Sequence, residues 1–346
     1  EMQEHFKELS GDVKDATVSV QVGQSQGTGV IVTRDGYVMT AAHVIGAANR
    51  NAIIKLPDGT ELEAKTLGLN RQFDSGLLKI KAKNKYPYFF PKAFTDSLVI
   101  AKINNKDEQE LYKETQKQYP TISKFQTELT SLFKHISFYN PTFESPDLVT
   151  LISNIDYESR IIYADSLLLV SLDVYLGKEH DFYADFPSYI KQTNTKEHLI
   201  VDVADAIIVQ QVPLSLERSF IGRMIHEGKK MYLLDRYLPT IPDTLKIGYS
   251  KSKFQWAAEN EENIWMYFIE KKLLFSTDTK LNKRFLENAP FSKFYLHQDR
   301  QSPGRIGVWI GWQIVKSFMQ NNDVSLQKLL TTDSEDIFNK SRYKPK

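Results

Sequence analysis

The sequence predicts an α+β chain in which a short antiparallel β segment precedes a mainly helical body that carries one small sheet. Three observations lead there. From Ala16 to Ile80, short apolar alternations are punctuated by Gly and Asp-Gly, the pattern of strands joined by tight turns. From about Lys83 onward the turn signals spread out, aromatics multiply, and apolar residues recur at helical spacing. Between the two, residues 82–86 contain no Gly/Ser/Pro-rich spacer, so no flexible linker separates the parts.

In order along the chain, strands are expected over 17–22, 29–33, 37–41, 52–56 and 77–81, with turns at Asp35-Gly36 and Asp58-Gly59. Helices are expected over 106–119, 124–136, 197–211, 216–237, 253–272, 305–320 and 334–340. Asn105 with Glu108 and Ser252 with Gln255 have the spacing of capping boxes. Residues 147–154 and 160–171 are rich in strand formers and predict a hairpin through 155–159. There is no internal repeat. The division is therefore 1–83, a β segment, and 84–346, a helical domain.

With 346 residues the chain is long enough for one large or two ordinary domains. Apolar residues at 41% and charged residues at 25% exclude the disordered and collagen-like classes. Lys and Arg number 44 against 43 Asp and Glu, so the net charge of +1 supplies no field for nucleic acid or anionic lipid. Nucleic acid is not an expected partner. The absence of Cys removes disulfides, thiolate nucleophiles, Cys-ligated zinc and cysteine-linked lipid from the chain as given. No run reaches the roughly 18–20 apolar residues of a membrane-spanning helix; the longest, 166–176, is broken by Asp173. Residues 1–15 are charged throughout and do not read as a signal peptide.

Chemistry-bearing residues are few. His43 closes a strand in Thr40-Ala41-Ala42-His43, and Asp74 opens another about thirty residues later. A serine nucleophile needs an imidazole to take its proton and a carboxylate to orient that imidazole; a His and an Asp are both present here. His226-Glu227 begins the helical zinc motif H-E-x-x-H, but Lys230 stands at the second ligand position, where an ammonium repels a cation. Both are expected at the polar edge of an amphipathic helix. Trp309, Trp312 and Phe318 fall on one stripe with Ile310, Ile314 and Val315 and are expected in the core. Ser302-Pro303-Gly304-Arg305-Ile306-Gly307 lacks the Gly-Lys-Ser/Thr ending of a phosphate loop. It is expected to turn sharply into a buried helix, with Gly307 and Gly311 allowing close packing. Asp165, Asp173, Glu179 and Asp181 fit no Ca²⁺ loop and are expected on a solvated rim. No cofactor is expected.

Two resemblances add to this reading. Gly27-Thr28-Gly29-Val30-Ile31-Val32, residues 35–45, Leu56-Pro57-Asp58-Gly59 and Asp74-Ser75-Gly76-Leu77-Leu78-Lys79-Ile80 together resemble a trypsin-like protease of the HtrA type over about residues 12–82. The resemblance implies that His43 is the general base and Asp74 its orienting carboxylate. It also implies half of a trypsin-like fold, a partial antiparallel β-barrel. The Gly-x-Ser-Gly-Gly loop that supplies nucleophile and oxyanion donors in that family has no counterpart here. Ser75 sits beside Asp74 and cannot meet His43 in the family geometry, so a relic dyad without its nucleophile is expected. A serine endopeptidase completed by a separate chain is the alternative.

From about Tyr86 to the C-terminus, residues 86–91, 172–178, 224–232, 260–265, 276–278, 289–294 and 302–315, then Tyr343-Lys344-Pro345, resemble in order the GldB family of gliding-motility lipoproteins of Bacteroidetes. That resemblance implies a non-catalytic protein of the cell envelope, linked to gliding and type IX secretion, whose partners are proteins of that apparatus. The family is lipid-anchored, whereas this chain has no Cys for an anchor. Surface residues of 289–294 and 302–315 are expected to line an interaction groove. The family also looks distantly zincin-like. On that analogy Glu227 is the surviving metal ligand, and His198 with Asp202 stands where H-E-x-x-H is missing. The two resemblances meet within a few residues of Lys83, so the chain looks chimeric.

Overall fold

The computed structural model describes residues 17–31, 37–56, 59–70, 74–81, 104–164, 166–213 and 216–345, apart from the Asn70 side chain. The chain divides into two compact units, Glu1–Asn104 and Asn105–Lys346. The turn expected at Asp35-Gly36, residue Asp58, the join at 82–86 and Asp165 lie outside the described residues.

In the first unit the strands are β1 (Thr17–Val22), β2 (Ser25–Ile31), β3 (Tyr37–Thr40), β4 (Asn51–Lys55), β5 (Glu61–Asn70) and β6 (Ser75–Ile80). A one-turn helix, α1 (Ala42–Ile45), follows β3. The strands close in the order β1-β2-β3-β6-β5-β4, with β4 pairing back onto β1 and all pairs antiparallel. Alternation turns Val18, Val20, Val22, Val38, Ala52, Ile54, Ala64 and Leu78 inward, where they form one cluster. The expected partial barrel is thus corrected to a closed one, which leaves no strand edge among these pairings. The closing element is β5, which apolar alternation does not reveal: its buried positions are Ala64 and Thr66, and its outward ones carry Glu61, Glu63 and Lys65. Thr66 Oγ1 accepts from the Arg50 N–H at 2.8 Å and donates to the Ala47 carbonyl at 2.8 Å, fixing the loop before β4. A bulge between Thr66 and Gly68 bends β5 as it passes from β4 to β6.

The second unit begins with α2 (Lys106–Gln118) and α3 (Ser123–Tyr139). Asn105 caps α2, its Oδ1 accepting from the N–H of Asp107 at 2.9 Å and of Glu108 at 3.2 Å. Then come β7 (Asp147–Leu151), β8 (Ile161–Ala164) and β9 (Leu167–Ser171), in the spatial order β7-β9-β8. The expected hairpin through 155–159 is corrected here. Residues 160–171 are two strands that pair antiparallel with each other, while β7 runs parallel to β9. The reason lies in Asp173. It is fully buried, not on a solvated rim, and its carboxylate accepts from the Ser153 N–H at 3.1 Å and the Ile155 N–H at 2.7 Å. That pins the segment after β7 as a loop, with Asn154 and Ile155 both left-handed at φ 60° and 61°.

The remaining helices are α4 (Ser188–Lys191), α5 (Lys196–Gln211), α6 (Phe220–Tyr237), α7 (Asp243–Ile247), α8 (Lys251–Glu259), α9 (Glu261–Glu270), α10 (Lys280–Phe285), α11 (Ile306–Asn321), α12 (Leu326–Thr331) and α13 (Ser334–Ser341). The single helix expected over 253–272 is two helices, divided at Asn260, whose Nδ2 donates to the Trp256 carbonyl at 2.9 Å. The cap of α8 is Ser250, not Ser252; its Oγ accepts from the Lys253 N–H at 3.3 Å. Helix α6 starts four residues later than expected, where Ser219 Oγ accepts from the Gly222 N–H at 3.2 Å.

Helices α6 and α11 form the centre of this unit. A Cβ on Gly228 would lie 2.2 Å from the Gly311 carbonyl oxygen, and one on Gly311 would lie 1.8 Å from that of Met224. The two backbones therefore touch where only glycine fits. Trp309, Trp312 and Phe318 pack in the core as expected. Trp312 Nε1 donates to Asp235 Oδ2 at 2.8 Å and Trp309 Nε1 to Glu261 Oε2 at 3.1 Å, so neither indole N–H is stranded.

Candidate functional site

Two arrangements of polar groups stand out, one in each unit. The first is the pair expected from the sequence. β3 and β6 are neighbours, with Thr40 opposite Gly76. The chain leaving β3 and the residue entering β6 therefore meet. His43 Nδ1 lies 2.8 Å from Asp74 Oδ2 and 3.1 Å from Oδ1, and the His43 N–H donates to Oδ1 at 3.2 Å. These hydrogen bonds, the side-chain one foremost, hold the Asp74 carboxyl below its usual range. Asp74 adopts φ 42°, a left-handed backbone that aims its carboxylate at the imidazole. Gly76 is needed for another reason: a Cβ there would come within 2.7 Å of Ile45 Cδ1 and 3.3 Å of the Ala41 carbonyl. The one-turn helix carrying His43 can sit on β6 only because position 76 has no side chain. Ser75 begins β6 and makes no hydrogen bond to His43 among the described residues. The pair is open to solvent, with side-chain exposures of 74% for His43 and 55% for Asp74.

The second arrangement is a cleft of about 840 Å³ within the helical unit. One face of α5 contributes His198, Val201, Asp202 and Asp205 at the spacing of successive helical turns. The loops 286–290 and 303–305 supply a wall. The segments expected to line a groove do so in part, through Ala289, Pro290, Pro303, Gly304 and Arg305. Ser292 and most of α11 are core instead.

Asp202 is the hub of one side. Its Oδ2 accepts from Arg160 Nε at 3.1 Å and from the Tyr175 hydroxyl at 2.8 Å, and Oδ1 lies 3.3 Å from His198 Nε2. Burial alone would raise its pKa; the charges of His198 and Arg160 outweigh that and hold it low. Asp202, four residues after His198 on α5, is thus held in an ion pair. Asp205, one turn further, differs. It is accessible through the mouth of the cleft, yet protein crowds around it, and the resulting desolvation raises its pKa against the opposing charge of Arg305. Arg305 itself caps α11 in a left-handed conformation at φ 59°.

Glu227 is engaged by Lys230, Nζ to Oε1 at 2.8 Å. His226 beside it has a pKa lowered by burial and by the Lys230 charge. Lys229 is buried and donates to the Thr332 carbonyl at 2.7 Å, tying α6 to the chain after α12. Among the described residues no three His, Asp or Glu side chains converge as a metal site, and no helix is long and apolar enough to cross a membrane. Sequence reasoning missed Asp205, Arg305 and Arg160. The one available signal was that His198, Asp202 and Asp205 share a face of an otherwise apolar helix.

A family model described as Gliding motility protein GldB matches residues 60–345. Its match begins just before β5 and so takes in the last two barrel strands as well as the helical unit. Among curated proteins, the chain is similar to the probable periplasmic serine endoprotease DegP-like of Pseudomonas putida (strain GB-1), 44% identical over 61 residues, 18% of this chain and 13% of that protein. The protein of the same description from Ectopseudomonas mendocina (strain ymp) is 45% identical over 60 residues, 17% of this chain and 12% of its own. That from Rhizobium meliloti (strain 1021) is 38% identical over 65 residues, 19% and 13% respectively. The chain thus spans only about an eighth of the length of these relatives.

Proposed function

Because the chain belongs to the gliding motility protein GldB family, we propose that it serves gliding at the cell envelope as a non-catalytic protein, capturing protein partners of the motility and type IX secretion apparatus. The observation that carries this reading is the extent of the family match, which runs through the whole helical unit to residue 345. The chemistry of that unit agrees with binding. The Asp202 carboxylate is held by Arg160, His198 and Tyr175, and Glu227 by Lys230.

The test is complementation. A gliding bacterium lacking its own family member receives this chain behind the leader and anchor of that member, and colony spreading is measured. Restored spreading, retained by Glu227→Gln, is the expected result. Failure to restore spreading with the chain present in the envelope overturns the motility role, and restoration that Glu227→Gln abolishes overturns the non-catalytic one.

A second reading is favoured by one observation, the 2.8 Å pairing of His43 with Asp74. In this reading the barrel is part of a serine endopeptidase whose nucleophile and oxyanion donors come from another chain. A fluorophosphonate probe, applied to the chain mixed with envelope extract, distinguishes the two. Labelling that disappears with His43→Ala supports the peptidase; labelling indifferent to His43 removes it.

A further inference from the structure

The polar side chains of the helical cleft fall into two groups. Several are consumed by protein partners. Asp202 has its three, Lys246 Nζ bonds Asp235 Oδ1 at 2.8 Å and Asp243 Oδ1 at 3.1 Å, and Lys253 Nζ donates to the carbonyls of Arg300, Gln301 and Ser302 at 2.8 to 2.9 Å. Asp205 and Arg305 are not consumed. Both line the cleft, they carry opposite charges that act on each other through space, and neither makes a side-chain hydrogen bond or ion pair among the described residues. Asp205 is open to the cleft, and the protein around it raises its pKa against the opposing charge of Arg305. Glu158 and Glu287, exposed at the rim, also have no side-chain partner among the described residues, but Arg305 is the one cleft cation there without one, and Asp205 is the carboxylate that its charge acts on.

We propose that this cleft binds a short peptide with free termini, Asp205 taking its ammonium group and Arg305 its carboxylate. The pairing of charges selects the ligand. A simple anion would meet Arg305 but face Asp205, and a simple cation the reverse, whereas a neutral sugar would leave both charges desolvated and unpaired. A zwitterion satisfies both with charge-assisted hydrogen bonds, the Arg–carboxylate pair being open to a bidentate geometry. The volume fits as well: about 840 Å³ lies within the roughly 300–1,000 Å³ of clefts that enclose small ligands. That is room for a few residues, with Leu286, Pro290 and Tyr249 offering apolar surface to side chains. Arg305 reaches the cleft because residues 303–305 approach residue 289 so closely that a Cβ on Gly304 would lie 2.1 Å from the Ala289 carbonyl. This inference stands apart from the motility reading, since it concerns binding by the purified chain.

Isothermal calorimetry on the full chain tests it with trialanine, its N-acetyl form, its C-terminal amide, the doubly capped form, and chitotriose. Free trialanine is expected to bind, each single cap to weaken binding by about tenfold or more, as for loss of one charged pair, and the doubly capped peptide and chitotriose not to bind. In Asp205→Asn the penalty for N-acetylation should vanish while that for amidation remains; Arg305→Gln should show the opposite. Tryptophan fluorescence confirms that each variant is folded. Absence of trialanine binding to the wild-type chain at millimolar concentration, equal binding of all four peptides, or binding of chitotriose in its place overturns the proposal without recourse to any variant.

Discussion

Replacing Gly311 with Ala tests the packing on which the helical unit depends. The added methyl would lie 1.8 Å from the Met224 carbonyl oxygen and 2.4 Å from its carbon, where real Cβ contacts are not found under 3.0 Å. The obstacle is main chain, so no rotamer change relieves it, and α6 and α11 must separate by about 1 Å. Overpacking of this kind costs about 1–3 kcal/mol or more. Separation also thins the contacts of Met224, Ile225, Trp312 and Val315, all fully buried at this crossing. A gap of about 0.5–1 Å forfeits a quarter to a half of each dispersion contact. Against this, Ala regains about 1 kcal/mol of helix propensity over Gly. A net loss of about 2–4 kcal/mol is therefore expected, which at ~1–3 kcal/mol per molar urea moves the midpoint down by about 1–2 M. The chain's 4 Trp, at positions 256, 265, 309 and 312, all lie in the helical unit, so tryptophan fluorescence reports that unit alone. Gly228→Ala meets the same contact from the other helix, so the double variant should lose less than the sum. Gly307→Ala, whose nearest atoms are Leu286 Cδ2 at 2.9 Å and the Phe285 carbonyl oxygen at 3.0 Å, should be milder than Gly311→Ala. If Gly311→Ala were as stable as the wild type, or gained the propensity term, the close-approach argument would be refuted.

Asp202→Asn should destabilise the helical unit by about 3 kcal/mol by removing the charge partner of Arg160, which keeps its bond to Thr193 Oγ1. Because the Asp202 pKa is held below 3.8, its contribution is complete above that pH and lost as pH falls through the folded value. The variant should accordingly lose part of the acid-side slope in urea titrations followed from neutral to acid pH. Asp74 behaves in the same direction: held below 3.8 by His43, it should stabilise the barrel at neutral pH and cease to do so on acidification, and Asp74→Asn should flatten that limb in the amide resonances of Val18 and Leu78. Asp173→Ala should strand the N–H groups of Ser153 and Ile155, costing about 1–3 kcal/mol. Faster amide exchange at those two residues would check it.

Much of the barrel was legible because its signals are local. Val18, Val20 and Val22 alternate with Ser19 and Gln21 whatever they pair with, and His43 with Asp74 could be paired in advance because the HtrA-type resemblance implies it. β5 was not legible, since Ala64 and Thr66 fill inward positions that only a closed barrel makes inward. The parallel pairing of β7 with β9 escaped for a similar reason. What sets it is Asp173, whose backbone partners lie about twenty residues upstream and carry no mark in the sequence.

The sequence by itself determined where strands give way to helices, which residues face inward along elements such as β1 and α11, and that Gly311 permits close packing, because these follow from the period of a helix or strand and from the size of one side chain. Tertiary structure alone decided that the barrel closes, that Asp202 is paired, and that Asp205 and Arg305, a hundred residues apart, face one cleft unpaired. Whether a charge has a partner depends on distances between elements, and no local pattern of residues encodes those distances.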